Sequence, residues 1–262
     1  SLKVMGNQGN TYSIFLRSSI VLMSLTCLFL TGNAQVVNPV HDNLAEKFEA
    51  GKIESVLMKA EKLMDNDKYK KSPEPYLWAS ICYLALHRSD DAKIQAYYKS
   101  ALKNAQRYAA KAASKDKEGN FIRENWDFIK DLKEVSLELA KKQIDKSDYR
   151  KANYTFKQLT KIDPTDDNAL FLKGVMDLRL NNGADASRNI SKAMTSLNLK
   201  YRDLDYQPDR NSASLVQDQI LFYLDQLINT EQLDSARKVV FSARLFFPLD
   251  KEVNKRYEDL TN

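Results

Sequence analysis

Residues 149–197 read YRKANYTFKQLTKIDPTDDNALFLKGVMDLRLNNGADASRNISKAMTSL, and one pattern is written in them twice. Ala152, Phe156 and Leu159 recur 34 residues later as Ala186, Ile190 and Ala193, and Ala140 just upstream recurs as Gly174. A third copy stands 84 residues after the first, where Leu233, Ala236, Val240, Ala243 and Pro248 answer Tyr149, Ala152, Phe156, Leu159 and Pro164. A period near 34 predicts helix-turn-helix units stacked side by side, each burying a face that it cannot bury alone.

The sizes of the recurring residues give the physical reason. Ala140 with Ala152, and Gly174 with Ala186, put one small residue on each helix of a pair where the axes cross. Small side chains there permit an interaxial distance of about 8–10 Å. Phe156 and Ile190 fill the space toward the next pair, and Pro164 and Pro248 stop the second helix, since proline has no N–H to continue it.

At these positions the chain resembles the tetratricopeptide repeat family: a small eighth residue, Ala at the twentieth, a large apolar at the twenty-fourth, Ala or Leu at the twenty-seventh and Pro at the thirty-second. The resemblance covers residues 133–200 and the second helix of 217–250. Leu224 takes the small eighth position, Asn198 the Pro position and Asp177 that of the usual aromatic. It implies an all-α solenoid of about five helix pairs with a C-terminal capping helix. It also implies a concave surface lined by the first helix of each pair. Carried over, that surface includes Leu137, Lys141 and Ile144, then Phe171, Val175, Leu178 and Arg179, then Leu221 and Asp225. The Lys and Asn set with which some relatives clamp a C-terminal carboxylate is absent. The helix of Phe171 is apolar nearly all round, so either the solenoid covers it from within or a partner does.

Ahead of the repeats the chain opens on an address. Lys3 and Arg17 precede the apolar run SSIVLMSLTCLFL at 18–30, and Thr31-Gly32-Asn33-Ala34 supplies small residues before Gln35. This is the pattern of a secretory signal peptide cut after Ala34. The run is short for a membrane span, which needs about 20 residues. A retained signal anchor and a lipoprotein attached at Cys27 are the alternatives. After cleavage Cys82 is the one cysteine left, without an internal partner and set in an apolar context that marks a buried structural thiol. No transmembrane span is expected in the mature chain.

The layout that follows is a leader at 1–34, degenerate helical repeats with a long basic Ala-rich helix at 35–132, two clear repeats at 133–200, an insertion at 201–216, and a third repeat with its cap at 217–262. Seven Gly and six Pro in the whole chain suit helices joined by short turns. Losing Lys3 and Arg17 with the leader lowers the formal charge from +5 to +3, too little for bulk attraction to nucleic acid. The Ala-rich helix is expected to run unbroken from about Ala92 to Ser114. Lys99, Lys103, Arg107, Lys111 and Lys115 lie four apart along it; each such step turns only about 40°, so they form one winding stripe, a solvated face or a contact for an acidic partner. The insertion carries Tyr201, Arg202, Tyr206 and Arg210 and reads as a loop.

Catalytic chemistry has little footing. Two histidines, His41 and His87, are present, and no HExxH, GxSxG, P-loop or CxxC occurs. The adjacent acids of Asp163-Pro164-Thr165-Asp166-Asp167 are explained as helix caps, so no metal and no cofactor is expected. The sequence predicts a non-enzymatic scaffold that binds another protein through its concave surface in the bacterial envelope, exported to the periplasm or associated with the outer envelope. The alternative is a module for an envelope glycan or anionic polymer, bound by the basic stripe and the Tyr-rich insertion.

Overall fold

A computed structural model describes residues 39–203 and 205–262, so the leader expected at 1–34 lies outside the described residues. Every regular element among them is helical: α1 (Pro39–Glu49), α2 (Ile53–Met64), α3 (Glu74–His87), α4 (Ala92–Tyr97), α5 (Ala101–Lys115), α6 (Asn120–Glu124), α7 (Trp126–Asp145), α8 (Tyr149–Ile162), α9 (Asp167–Arg179), α10 (Gly183–Lys200), α11 (Arg210–Asn229), α12 (Leu233–Phe246) and α13 (Lys251–Thr261). The expected all-α repeat class is what forms. Two compact units divide between Ile129 and Lys130, within α7.

In the first unit α3 packs on both α2 and α5, with α1 against α2 and α3. In the second, α9 packs on α8 and α10 and also on α11, the first helix of the following pair, while α12 packs on α11 and α13. The first helices α9 and α11 thus each touch their own partner and a neighbouring pair, as stacked helix-turn-helix units require. The core of the second unit contains the recurring residues of the sequence pattern: Ala140, Ala152, Phe156, Leu159, Ile190, Ala193, Ala236, Val240 and Ala243 are buried in one cluster. Gly174 marks the tightest crossing. A Cβ there would lie 2.7 Å from Ile190 Cγ1 and 3.0 Å from the Ile190 backbone N, so no larger residue fits without moving α10.

The turns inside the pairs repeat as faithfully as the packing. Four of them close with a bond between residues five apart, from the N–H of Lys52, Asp148, Asn182 and Gln232 to the carbonyls of Lys47, Gln143, Asp177 and Leu227, at 3.0, 2.8, 2.9 and 2.9 Å. This is the Schellman closure, which needs one left-handed residue before the donor. Gly51, Ser147, Asn181 and Glu231 supply it, with φ of 74°, 58°, 61° and 58°. Three of the four carry a Cβ, which the left-handed region penalises. Ser147→Gly is expected to stabilise the fold by about 0.5–1 kcal/mol, the relief of that strain less the extra freedom of an unfolded glycine. A urea midpoint that rises checks it.

Position eleven of the repeat, where the family has an aromatic, holds the buried Asp177. Its carboxylate accepts from Asn153 Nδ2 at 2.8 Å, Asn189 Nδ2 at 3.1 Å and Lys173 Nζ at 2.7 Å, so three helices converge on it. The acids after Pro164 act as caps and ion-pair partners: Asp166 accepts from Ala169 N–H at 3.0 Å and pairs with Lys133 at 2.8 Å, and Asp167 pairs with Lys200 at 2.6 Å. Burial alone would lower the Lys133 ammonium, but Asp166 and Asp209 together hold it above its ordinary value.

Two expected boundaries differ. The basic helix is not continuous, because it stops at Tyr97 and restarts at Ala101, which leaves Lys99 in a turn. In that break Tyr98 donates its hydroxyl to Glu54 at 2.9 Å and sets its ring edge-on to Tyr83, contacts within the unit that are made instead of another helical turn. The insertion is also shorter than 201–216, since α11 begins at Arg210. Asp209 caps it, accepting from the N–H groups of Asn211 and Ser212 at 2.9 and 3.3 Å.

Candidate functional site: the exposed edge of the first helices

Of the residues expected to line the concave surface, Leu137, Phe171 and Val175 belong to the core and are closed to a partner. The reason is the packing of α11 on α9, which brings the third pair over a helix that is apolar on several sides. Coverage from within is therefore the correct branch for Phe171. Lys141 is exposed and sits 3.5 Å from Asp145 on its own helix, while Asp225 pairs with Arg256 of α13 at 3.0 Å. Ile144, Leu178 and Leu221 are half-buried, each showing one edge to solvent.

Arg179, at the C-terminal end of α9, is where these helices meet. Its Nε and Nη2 donate to Gln219 Oε1 at 3.3 and 3.1 Å, and its Nη1 donates to the Tyr149 hydroxyl at 3.2 Å. The guanidinium carbon lies 3.4 Å from the centre of the Phe222 ring and 4.6 Å from that of Tyr149. Stacking on two rings fixes the plane of the fork, which suits guanidinium better than any other cation. Burial pulls the group below its usual value, with Tyr149 opposing. Among the described residues no carboxylate pairs with it; a half-buried positive charge is held by neutral groups alone. Gln219 and Phe222 are not marked by the sequence pattern, and Tyr149 is marked there only as a repeat position. Gln219 is 40 residues from Arg179, and the insertion between the two repeats hides the register that joins them.

The remaining expected contacts divide by exposure. Tyr201 and Tyr206 turn inward: their ring centres are 5.1 Å apart, and Tyr201 lies 4.5 Å from Phe246. Burial, with Tyr206 adding, pushes the Tyr201 hydroxyl up to about 12. The half-buried rings thus pack on each other and on Phe246 rather than standing open to a glycan, and Arg202 and Arg210 are exposed together with the acidic Asp203, Asp205 and Asp209. On α5, Lys103, Arg107, Lys111 and Lys115 are exposed along one side, with Lys99 exposed in the turn before it. Cys82 is fully buried, and burial, with Glu61 adding, raises its thiol to about 12, the setting of an inert structural cysteine. Among the described residues no group of His, Cys, Asp and Glu is arranged to hold a metal ion, and no helix is long and apolar enough to cross a membrane.

No protein-family model matches the chain, and no curated protein matches it. Among solved structures it is similar to the complex of the TPR2AB domain of yeast Sti1 with pHSP90, at 13% identity over 97% of this chain and 96% of that one, with a TM-score of 0.32. The repeat assignment stands on the 34-residue period and the recurring turn, not on that likeness.

Proposed function

We propose that this chain is a non-catalytic protein-binding scaffold, and that its second unit holds a partner along the exposed edge of its first helices. The observation that carries this reading is Arg179. A guanidinium that is half-buried, flattened on Phe222 and without a carboxylate has lost much of its hydration and gained no counter-charge. A partner's acidic group at that fork would supply the charge, and the half-buried Leu178, next to it in the chain, adds apolar surface. The leader pattern, with its apolar run at 18–30 and Thr31 to Gln35, supports export to the bacterial envelope as the place where the partner is met.

Leu178→Glu and Arg179→Gln are the variants that test it, since both side chains reach solvent and neither is in the sealed core. Used as bait for envelope extract beside the unaltered chain, each should keep its helical spectrum and lose at least about ten-fold in retention of a discrete protein at high salt. Equal retention by folded Arg179→Gln would overturn the reading.

A further inference from the structure

The solvent face shared by α2, α3 and α5 in the first unit is organised in three bands. On α2, Glu54, Met58 and Glu61 follow one another at helical spacing, with Met58 67% exposed. Next come tyrosines. Tyr98 donates to Glu54 at 2.9 Å and Tyr83 to Glu61 at 3.2 Å, and Tyr83 stacks on Tyr108 with ring centres 5.6 Å apart and planes 7° from parallel. On α5 come the cations. Arg107 and Lys111 lie over the Tyr108 ring at 4.7 and 5.5 Å, and Lys115 over the Tyr76 ring at 5.8 Å. The helix of ALKNAQRYAAKAASK contains no acid, and among the described residues none of Arg107, Lys111 and Lys115 is in an ion pair. The three positive groups lie against aromatic rings, and none of them is paired directly with a carboxylate among the described residues.

We propose that this face is a docking site, distinct from the Arg179 edge, for an acidic polypeptide segment. Charge complementarity along α5 requires anionic groups at intervals of about 6 Å, the rise of four helical residues. The acidic band selects among anions. A polymer charged on all sides, such as polyphosphate or nucleic acid, would meet the carboxylates of Glu54 and Glu61 as it settled on the cations. A polypeptide can present acids to α5 and basic or apolar side chains to Glu54, Met58 and the 81% exposed Tyr97. The rings beneath the cations offer a glycan no open platform, since Tyr83 and Tyr108 cover each other and Tyr76 is buried; Tyr97, ahead of α5, is the exposed ring of this face.

The test uses the whole chain and two probes: a helical peptide with Glu at every fourth position along one flank and Lys along the other, and inorganic polyphosphate. The triple variant Arg107→Gln, Lys111→Gln, Lys115→Gln should weaken the peptide at least about ten-fold, whereas the charge-matched control Lys157→Gln, Lys161→Gln, Lys192→Gln should change it by less than about two-fold. Unaltered protein should bind the peptide more tightly than polyphosphate. Equal losses in the two triple variants, no loss in the first, or tighter binding of polyphosphate would each overturn the proposal.

Discussion

Phe171→Asp is expected to unfold the second unit rather than to disarm a binding surface. Phe171 has no exposed surface and lies in the cluster with Leu137, Phe156, Val175 and Ile220. Removing a buried phenyl ring costs about 3–5 kcal/mol before anything is put in its place. The aspartate then has no partner in that cluster, and burying it ionised costs several kcal/mol more, or it takes up a proton. Together these exceed about 5 kcal/mol, the lower end of a domain's whole stability. The measurement is the far-ultraviolet circular dichroism of the variant at room temperature, which should show loss of helix. A variant that stayed helical with an unchanged melting midpoint would mean that Phe171 faces solvent and that α11 does not cover α9.

Asp177→Ala should cost about 3 kcal/mol, because removing one member of a buried charged network strands the others. Asn153, Asn189 and Lys173 all point their donors at this carboxylate, and Lys173 is itself mostly buried. The cost belongs to the stranded donors more than to the lost bonds, and this separates two otherwise similar variants. In Asp177→Leu the apolar volume is restored, as Leu227 does at the same position of the next repeat, yet the donors stay stranded and most of the loss should persist. Replacing Asn153 and Asn189 by Leu as well should recover at least about half of it. Urea denaturation with constant slope reads all three. If Asp177→Ala and the unaltered chain share a midpoint, the network contributes nothing.

What could be read from the sequence is what depends on volume. Ala140, Ala152, Gly174 and Ala186 are small because backbones approach there, and the 2.7 Å that a Cβ at Gly174 would leave to Ile190 is that argument in the structure. The αL turns share the same offset of 34, between Ser147 and Asn181, but their residue types differ, so composition does not reveal them. The surface was less legible. A repeat position identifies the helix face, but whether the face is covered depends on the next pair, and the pattern carried Phe171 and Ile144 alike. The break before Ala101 depends on Tyr98 finding Glu54, 44 residues away, and no local signal encodes that. Arg179 could be placed on the exposed edge by its position. That its neighbours are Phe222, Tyr149 and Gln219 required the register across residues 201–209.

The recurring turn also bears on speed. Each of the four Schellman closures is made between residues five apart, and each helix hairpin can form from its own stretch of chain without waiting for a distant one. Entropy lost in closing such short loops is small, and chains dominated by local contacts fold in microseconds to milliseconds. A newly made hairpin can therefore assemble on the one already completed as the chain emerges, and nascent structure would grow in steps of about one repeat.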